Sequence, residues 1–362
     1  MLQDVSPLLR KIMDGQDLTA AETDSALRTI MKEDQDGYFY LAFLVALHTK
    51  GETAEELFGL CQLEDFVPKI NTGISPEMIT DLSGTGGAKL KTINVSTAAS
   101  FIVAGAGFNV AKQAARGVTG PTGSADVFGA FGIDVYKITP ETIKQTLGNV
   151  GIVPYFYVAF GKGMENRSRL GKRIFFDGKL GIRIPFHLAF FAYSPIEMRS
   201  RTYGVYDEKY LRILAELFQK LGYAKCLVFH GVGGLCEVSN IGPTKIVEFN
   251  GDAMKEYTIN PEDMGLKKSS YEDIRSGSAE QNIIDFLRIL YGKEIGPKRD
   301  LVLANAAASF YALGKVTSLK EGVELARQVL EEGKAAVKLE ELTNLIGEPA
   351  KLKDWKAKAG PD

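Results

Sequence analysis

Between Asp81 and Asp126 the chain gathers residue types suited to binding phosphate: DLSGTGGAKLKTINVSTAASFIVAGAGFNVAKQAARGVTGPTGSAD. Gly84, Thr85, Gly86 and Gly87 follow a short apolar run, Met78 to Leu82, that has strand character. Glycines allow successive backbone N–H groups to close around an anion. Asn94, Ser96 and Thr97 stand where an apolar helix, Ala98 to Gly105, should begin. A helix N-terminus favours an anion through its unpaired N–H groups and its dipole, and Ser or Thr there can cap the helix or meet a metal ion. Lys112 and Arg116 follow a second short apolar strand and lead into a Gly/Thr-rich loop, where they supply opposite charge. The implied chemistry is binding of phosphate or pyrophosphate. The competing reading of Gly84–Gly87 is a tight strand-to-helix turn without a ligand, and the Asn94-to-Thr97 continuation favours the anion.

The elements that must hold these residues change character along the chain. Residues 1 to 70 read as helices: Leu8, Leu9, Ile12 and Met13 have helical spacing, and Phe39 to Leu47 is almost continuously apolar. Thr19-Ala20-Ala21-Glu22 has the form of a capping box ahead of Ala26, Leu27, Ile30 and Met31, and Thr53 to Cys61 begins a fourth helix. From residue 78 onward, strand-like runs at Phe108–Ala111, Ile133–Val135, Lys225–Phe229 and Lys245–Phe249 alternate with helical ones. The latter are Ser96–Ala106, Pro140–Leu147, Glu208–Leu221 and Asp300–Leu313. The expected fold class is therefore α/β: a small N-terminal helical domain over 1–70, then a larger α/β domain over 71–350 with a mostly parallel central sheet. Helices near 160–200 are candidates for sharing between the two, and the polar tail 351–362 is expected to fray.

Composition narrows the function classes. A chain of 362 residues, 45% hydrophobic, can bury a sizeable core, and a net charge of −2 gives no global bias toward nucleic acid. No apolar run is long enough to span a bilayer, and the first residues lack a secretory pattern. Cys61, Cys226 and Cys236 are too few and too scattered for a zinc site or a disulfide framework, so reduced thiols in the cytoplasm are expected.

The combination of motifs resembles anthranilate phosphoribosyltransferase and its paralogues, the group-3 glycosyltransferases related to pyrimidine nucleoside phosphorylases. That family carries a GTGG loop, a Thr-x-Asn-x-Ser-Thr helix start, and a Lys-His-Gly-Asn-Arg loop ending in Gly-Ser-Ala-Asp. Gly84–Gly87, Thr92, Asn94, Ser96, Thr97, Lys112, Arg116 and Gly123, Ser124, Ala125 and Asp126 match it without a gap. Lys50–Leu57, Gly204-Val205-Tyr206, Glu262–Leu266, Ser276–Asn282, Asn305–Ala308 and Glu321-Gly322-Val323 extend the likeness over nearly the whole chain. The resemblance implies 5-phosphoribosyl 1-pyrophosphate as substrate, Mg2+ as cofactor with Ser96 and Glu237 at its positions, and a homodimer made through the helical piece. Phosphoribosyl transfer needs positioning and leaving-group stabilisation rather than a nucleophilic side chain, so the lack of a Ser-His-Asp pattern is no objection.

Departures from the pattern fall around the donor glycines, at the second metal position and on the acceptor side. Ala88 replaces the family's Asp, Gln113-Ala114-Ala115 its His-Gly-Asn, Thr119-Gly120 its Ser-Ser, and Cys236 the Asp before Glu237. A thiol is a poor ligand for a hard Mg2+ ion. Asp177-Gly178-Lys179 precedes Leu180-Gly181-Ile182-Arg183 where the family has an Arg facing the anthranilate carboxylate, which argues for a changed aromatic or nitrogen acceptor. His187 reads as a hydrogen-bonded ring in an apolar segment or as a general base, and His230 sits at a strand end. The basic, aromatic stretch Glu165–Arg183 opens a second function class, a non-catalytic paralogue binding nucleic acid. Nucleoside phosphorolysis ranks third.

Overall fold

The structure, a computed structural model, describes residues 1–117, 122–162, 169, 184–189 and 191–360. The chain forms two units. The first comprises Met1–Lys69, Tyr157–Pro195 and Glu216–Gly222 and is helical. Its first helix is Leu2–Met13. Thr19 Oγ1 then accepts the Glu22 N–H at 3.2 Å while the Glu22 carboxylate accepts the Thr19 N–H at 2.8 Å, opening the helix Ala20–Glu33. Thr53 and Glu56 repeat this box for Ala54–Leu60. These helices and Tyr38–Lys50 bury Ile30, Phe43, Leu47 and Leu57. Glu56 is enclosed among them with its charge met by Lys50 Nζ at 3.0 Å, which makes its burial tolerable.

The second unit holds Ile70–Phe156, Ile196–Ala215 and Tyr223–Asp362. Its strands are β1 (Ile79–Thr80), β2 (Leu82–Gly84), β3 (Asn109–Gln113), β4 (Ile152–Tyr155), β5 (Ser200–Gly204), β6 (Lys225–Gly231), β7 (Thr244–Asn250) and β8 (Ala253–Ile259). They make a parallel sheet in the order β1-β3-β4 and a second sheet in the order β2-β5-β6-β7-β8. In the latter β2, β5 and β6 run parallel and the β6-β7-β8 meander is antiparallel. The α/β class and the parallel bias are thus as expected, with an antiparallel edge added.

The run Met78–Leu82 contributes to two strands in different sheets. The chain changes sheets at Asp81, whose carboxylate takes Arg201 Nη2 at 2.6 Å, both residues fully buried. The same nitrogen donates to Ser83 Oγ at 2.7 Å, and Arg201 Nη1 to Tyr223 OH at 3.2 Å. Ile133–Val135 is not a strand; its apolar side chains are buried in the connection between the helices Ser124–Ala130 and Pro140–Val150. The tail expected to fray is a helix over Pro349–Ala359, because Leu352 and Ala359 pack into the core despite the lysines between them. At the centre, Leu301–Ser309 of the helix Pro297–Ala312 are all buried. Its alanines let the helices Val95–Gly105 and Leu319–Glu331 come close.

Candidate functional site

The glycine loop grows from the end of β2. Gly84 lies opposite Gly204 of β5, and a β-carbon on Gly84 would stand 2.5 Å from the Gly204 carbonyl oxygen. A β-carbon on Gly204 would collide with the Cys236 carbonyl. Two glycines therefore let three backbone segments converge. Thr85 N–H donates to Gly204 O at 2.9 Å, and Thr85 Oγ1 accepts the Tyr206 N–H at 3.1 Å. The hydroxyl of Thr85 is thus a brace between loops. Gly86 and Gly87 both have left-handed φ, +63° and +74°. The space on the β-carbon side of Gly86 is open, with nothing within 4 Å.

Next to this loop lies the turn after β6. Lys89 N–H donates to Gly234 O at 3.1 Å, and Cys236 Sγ contacts Gly86 O at 3.5 Å. Thr92 Oγ1 donates to Glu237 Oε1 at 3.3 Å. The other carboxylate oxygen of Glu237, Oε2, is enclosed without a hydrogen-bond partner among the described residues. Burial pushes the Glu237 carboxyl up to about 7, against the opposing pull of the Thr92 hydroxyl, the Cys236 backbone and the Lys91 charge. Such an oxygen is a place for a proton or a cation. Mg2+ characteristically takes one or two carboxylates and completes its shell with water and substrate phosphate. The enclosed Glu237 carboxylate fits that habit, and the Cys236 thiol does not add to it.

The helix Val95–Gly105 has Asn94 at its N-cap position without a side-chain cap bond. Ser96 is partly exposed in its first turn. Thr97 is fully buried, so it lies under the helix start rather than on it, and its hydroxyl has no partner among the described residues. Asn94 turns toward Asn282 and Thr122.

The third wall is built from residues 115–117 and 122–126. Ser124 Oγ accepts the Ala115 N–H at 3.2 Å, and Ala125 N–H donates to Ala115 O at 3.0 Å. The Asp126 carboxylate accepts the N–H groups of Gly117 and Gly123 at 3.0 and 2.7 Å. A β-carbon on Gly123 would strike the backbone of Ala115 to Gly117. Gly123 and Ser124 therefore clasp the loop, and Arg116 is exposed beside the Tyr136 ring, 5.6 Å from its centroid.

Lys112 departs from expectation. Its motif puts it along the loop, yet it is buried, 3% exposed, with Nζ donating to Leu82 O beneath β2. Burial lowers its pKa to about 8, with Asp81 opposing and Arg201 reinforcing the drop. β3 is buried at every position from Val110 to Gln113, so this side chain has no route to solvent and supports the root of the glycine loop. His230 Nδ1–H donates to Val205 O at 2.9 Å, and His187 Nδ1 lies 3.3 Å from Ile184 N, both local structural contacts. Of the basic stretch, Arg169 donates to Gln35 O at 2.6 Å; Arg167, Lys172, Arg173, Lys179, Arg183, Thr119 and Gly120 lie outside the described residues. Neither Asn282 nor Tyr271 is marked as a site residue by type or spacing. The signals are the place of Asn282 at the end of the matched segment Ser276–Asn282 and its polar type on the buried face of its helix.

Comparison with known proteins shows the family of the chain. Residues 76–336 match the family model described as glycosyl transferase family, α/β domain, and residues 6–63 that of the glycosyl transferase family, helical bundle domain. The anthranilate phosphoribosyltransferase of Petrotoga mobilis is 36% identical over 348 residues, 95% of this chain and 98% of that protein. That of Symbiobacterium thermophilum is 37% identical over 336 residues, 92% of this chain and 96% of the relative. The crystal structure of anthranilate phosphoribosyltransferase from Thermus thermophilus aligns with a TM-score of 0.82 at 30% identity, covering 93% of this chain and 98% of that one. The Saccharomyces cerevisiae enzyme in complex with PRPP and Mg shares the fold, with a TM-score of 0.79 at 23% identity over 93% of this chain and 96% of that one. Matched in both parts, in order and over nearly its full length, the chain belongs to the glycosyl transferase family that joins a helical bundle domain to an α/β domain.

Proposed function

We propose that this protein is a Mg2+-dependent phosphoribosyltransferase that moves the phosphoribosyl group of 5-phosphoribosyl 1-pyrophosphate to an aromatic or nitrogen acceptor. The observation that carries the reading is the paired left-handed Gly86 and Gly87 with open space above Gly86, at the carboxyl end of a parallel strand. In the reaction the bond from the anomeric carbon to pyrophosphate breaks, the leaving oxygen keeps the electron pair, and the acceptor nitrogen forms the new bond and sheds its proton. The Gly86–Gly87 turn and the start of the Val95–Gly105 helix would hold the developing charge on pyrophosphate. Ser96 and Glu237 would hold Mg2+, which when bound neutralises charge on the leaving group. Arg116, Thr92, Asn94, Gly123 and Ser124 would line or brace the phosphate site, and Thr85, Thr97 and Lys112 would support it from beneath. The relatives are named for anthranilate. Ala115 presents only a methyl group where the family motif has an amide, which supports an acceptor recognised differently. The homodimer reading rests on the family likeness, and the exposed apolar Met13 and Tyr38 of the helical unit support it.

Calorimetric titration with 5-phosphoribosyl 1-pyrophosphate, with and without Mg2+, tests the proposal. Saturable binding that needs Mg2+ is expected, and Gly86→Val should abolish it while leaving the fold intact. Absence of binding under both conditions would sink the reading. Unchanged affinity in the Gly86→Val variant would remove the loop from it. With binding in hand, anthranilate and other aromatic amines are compared as acceptors by pyrophosphate release.

A further inference from the structure

Asn282, 1% exposed on the helix Ala279–Leu290, joins two walls of the site. Its Oδ1 accepts the backbone N–H of Asn94 at 3.1 Å. Its Nδ2 donates to Asn94 Oδ1 at 2.6 Å and also to Thr122 Oγ1. Thr122 Oγ1 in turn donates to Asn94 Oδ1 at 2.8 Å. The order of these bonds has one solution. A backbone N–H is always a donor, so Asn282 must face Asn94 with Oδ1, and Nδ2 must face the Asn94 side chain. Asn94 must then answer with Oδ1, because its own Nδ2 would set donor against donor. The hydrogens of the Asn94 amide are left for other partners, and donor hydrogens are what an anion requires.

The strip that carries Asn282 is itself fixed to Lys91 and Thr92, between the glycine loop and the helix start. Tyr271 OH accepts the Lys91 N–H at 3.1 Å, Ser276 N–H donates to Lys91 O at 2.8 Å, and Arg275 bridges to Thr92. We infer that Asn282 is a positioning residue for the phosphoribosyl donor: it sets the Asn94 amide with its hydrogens available and couples the helix start to the Thr122–Ser124 turn. The inference rests on the phosphate-site reading above and deepens it.

Asn282→Leu removes the acceptor and both donors at similar size without adding a charge that would itself repel phosphate, so it tests orientation with little change of shape. The expected result is a rise of about tenfold or more in Kd and KM for 5-phosphoribosyl 1-pyrophosphate. The turnover number at saturation should change by less than about threefold, with an unaltered acceptor KM and a preserved far-UV spectrum. Donor affinity equal to that of the unsubstituted protein, or loss of kcat alone, would overturn it. If the unsubstituted protein itself fails to bind, the functional reading falls, and the clasp is judged by amide hydrogen exchange in ligand-free Asn282→Ala. Faster exchange at both Asn94 and Gly123–Ala125 supports the coupling; acceleration confined to Asn94 refutes it.

Discussion

Lys112 shows how one residue can carry two readings. Its place in the sequence suggests a cation facing phosphate, while its place in β3 buries it under Leu82. Removing an ammonium from water disfavours its charge, which is why its pKa falls from 10.5 to about 8. The sign for stability follows. Below about pH 8 the charge is carried in both folded and unfolded chains and its burial cost is felt in full. Between about 8 and 10.5 the folded chain loses the proton first, so this residue makes stability rise with pH across that window. The whole swing is on the order of 3 kcal/mol. Replacing it, Lys112→Met, should remove that rise, as read from urea midpoints at pH 8 and 10; an identical slope in the variant would show that another group titrates there. Gly86 makes the complementary point: its left-handed φ and open surroundings mean that Gly86→Val should cost about 1–2 kcal/mol of stability while eliminating phosphate binding.

Among the elements, the junction of β2, β5 and the Gly234–Glu237 turn sets how close the loops come. Gly204→Ala would drive a methyl group into the Cys236 carbonyl, forcing β5 and the turn apart. A loss of about 3 kcal/mol or more is expected in chemical denaturation, with Glu237 displaced from Thr92. Gly129, inside the helix Ser124–Ala130, has no neighbour within 4 Å of a would-be β-carbon, so Gly129→Ala should stabilise by up to about 1 kcal/mol. Opposite signs for two Gly→Ala changes in one protein would separate steric need from backbone entropy; equal signs would refute the packing account. The helix starts at Thr19 and Thr53 were legible because a capping box is a local, four-residue contract between side chain and backbone. β4 and β5 were not, because short strands such as Ser200–Gly204 owe their extended form to partners far away in sequence; β8, paired with its neighbour β7, was not because it is mostly exposed and lacks a buried apolar face to mark it.

At the scale of the whole molecule, no helix among the described residues is long and apolar enough to cross a membrane. The Pro349–Ala359 helix packs Leu352 and Ala359 into the core of the α/β unit, so deleting residues 349–362 should expose the apolar residues they cover. The deletion should lower stability by about 2 kcal/mol or more, measured as a drop in Tm. An unchanged Tm would return the segment to the status of a polar tail. Residue types and their spacing determined the helical start, the α/β class and the phosphate motif, because caps, glycines and hydrophobic periods act over a few residues. Only the tertiary structure decided that Asp81 divides one apolar run between two sheets, that Lys112 points inward, and that Glu237 keeps an enclosed oxygen without a hydrogen-bond partner among the described residues. It also decided that Asn282 faces Asn94 across 188 positions. Those outcomes depend on burial and on pairing between distant segments, where side chains must satisfy partners that no local pattern names.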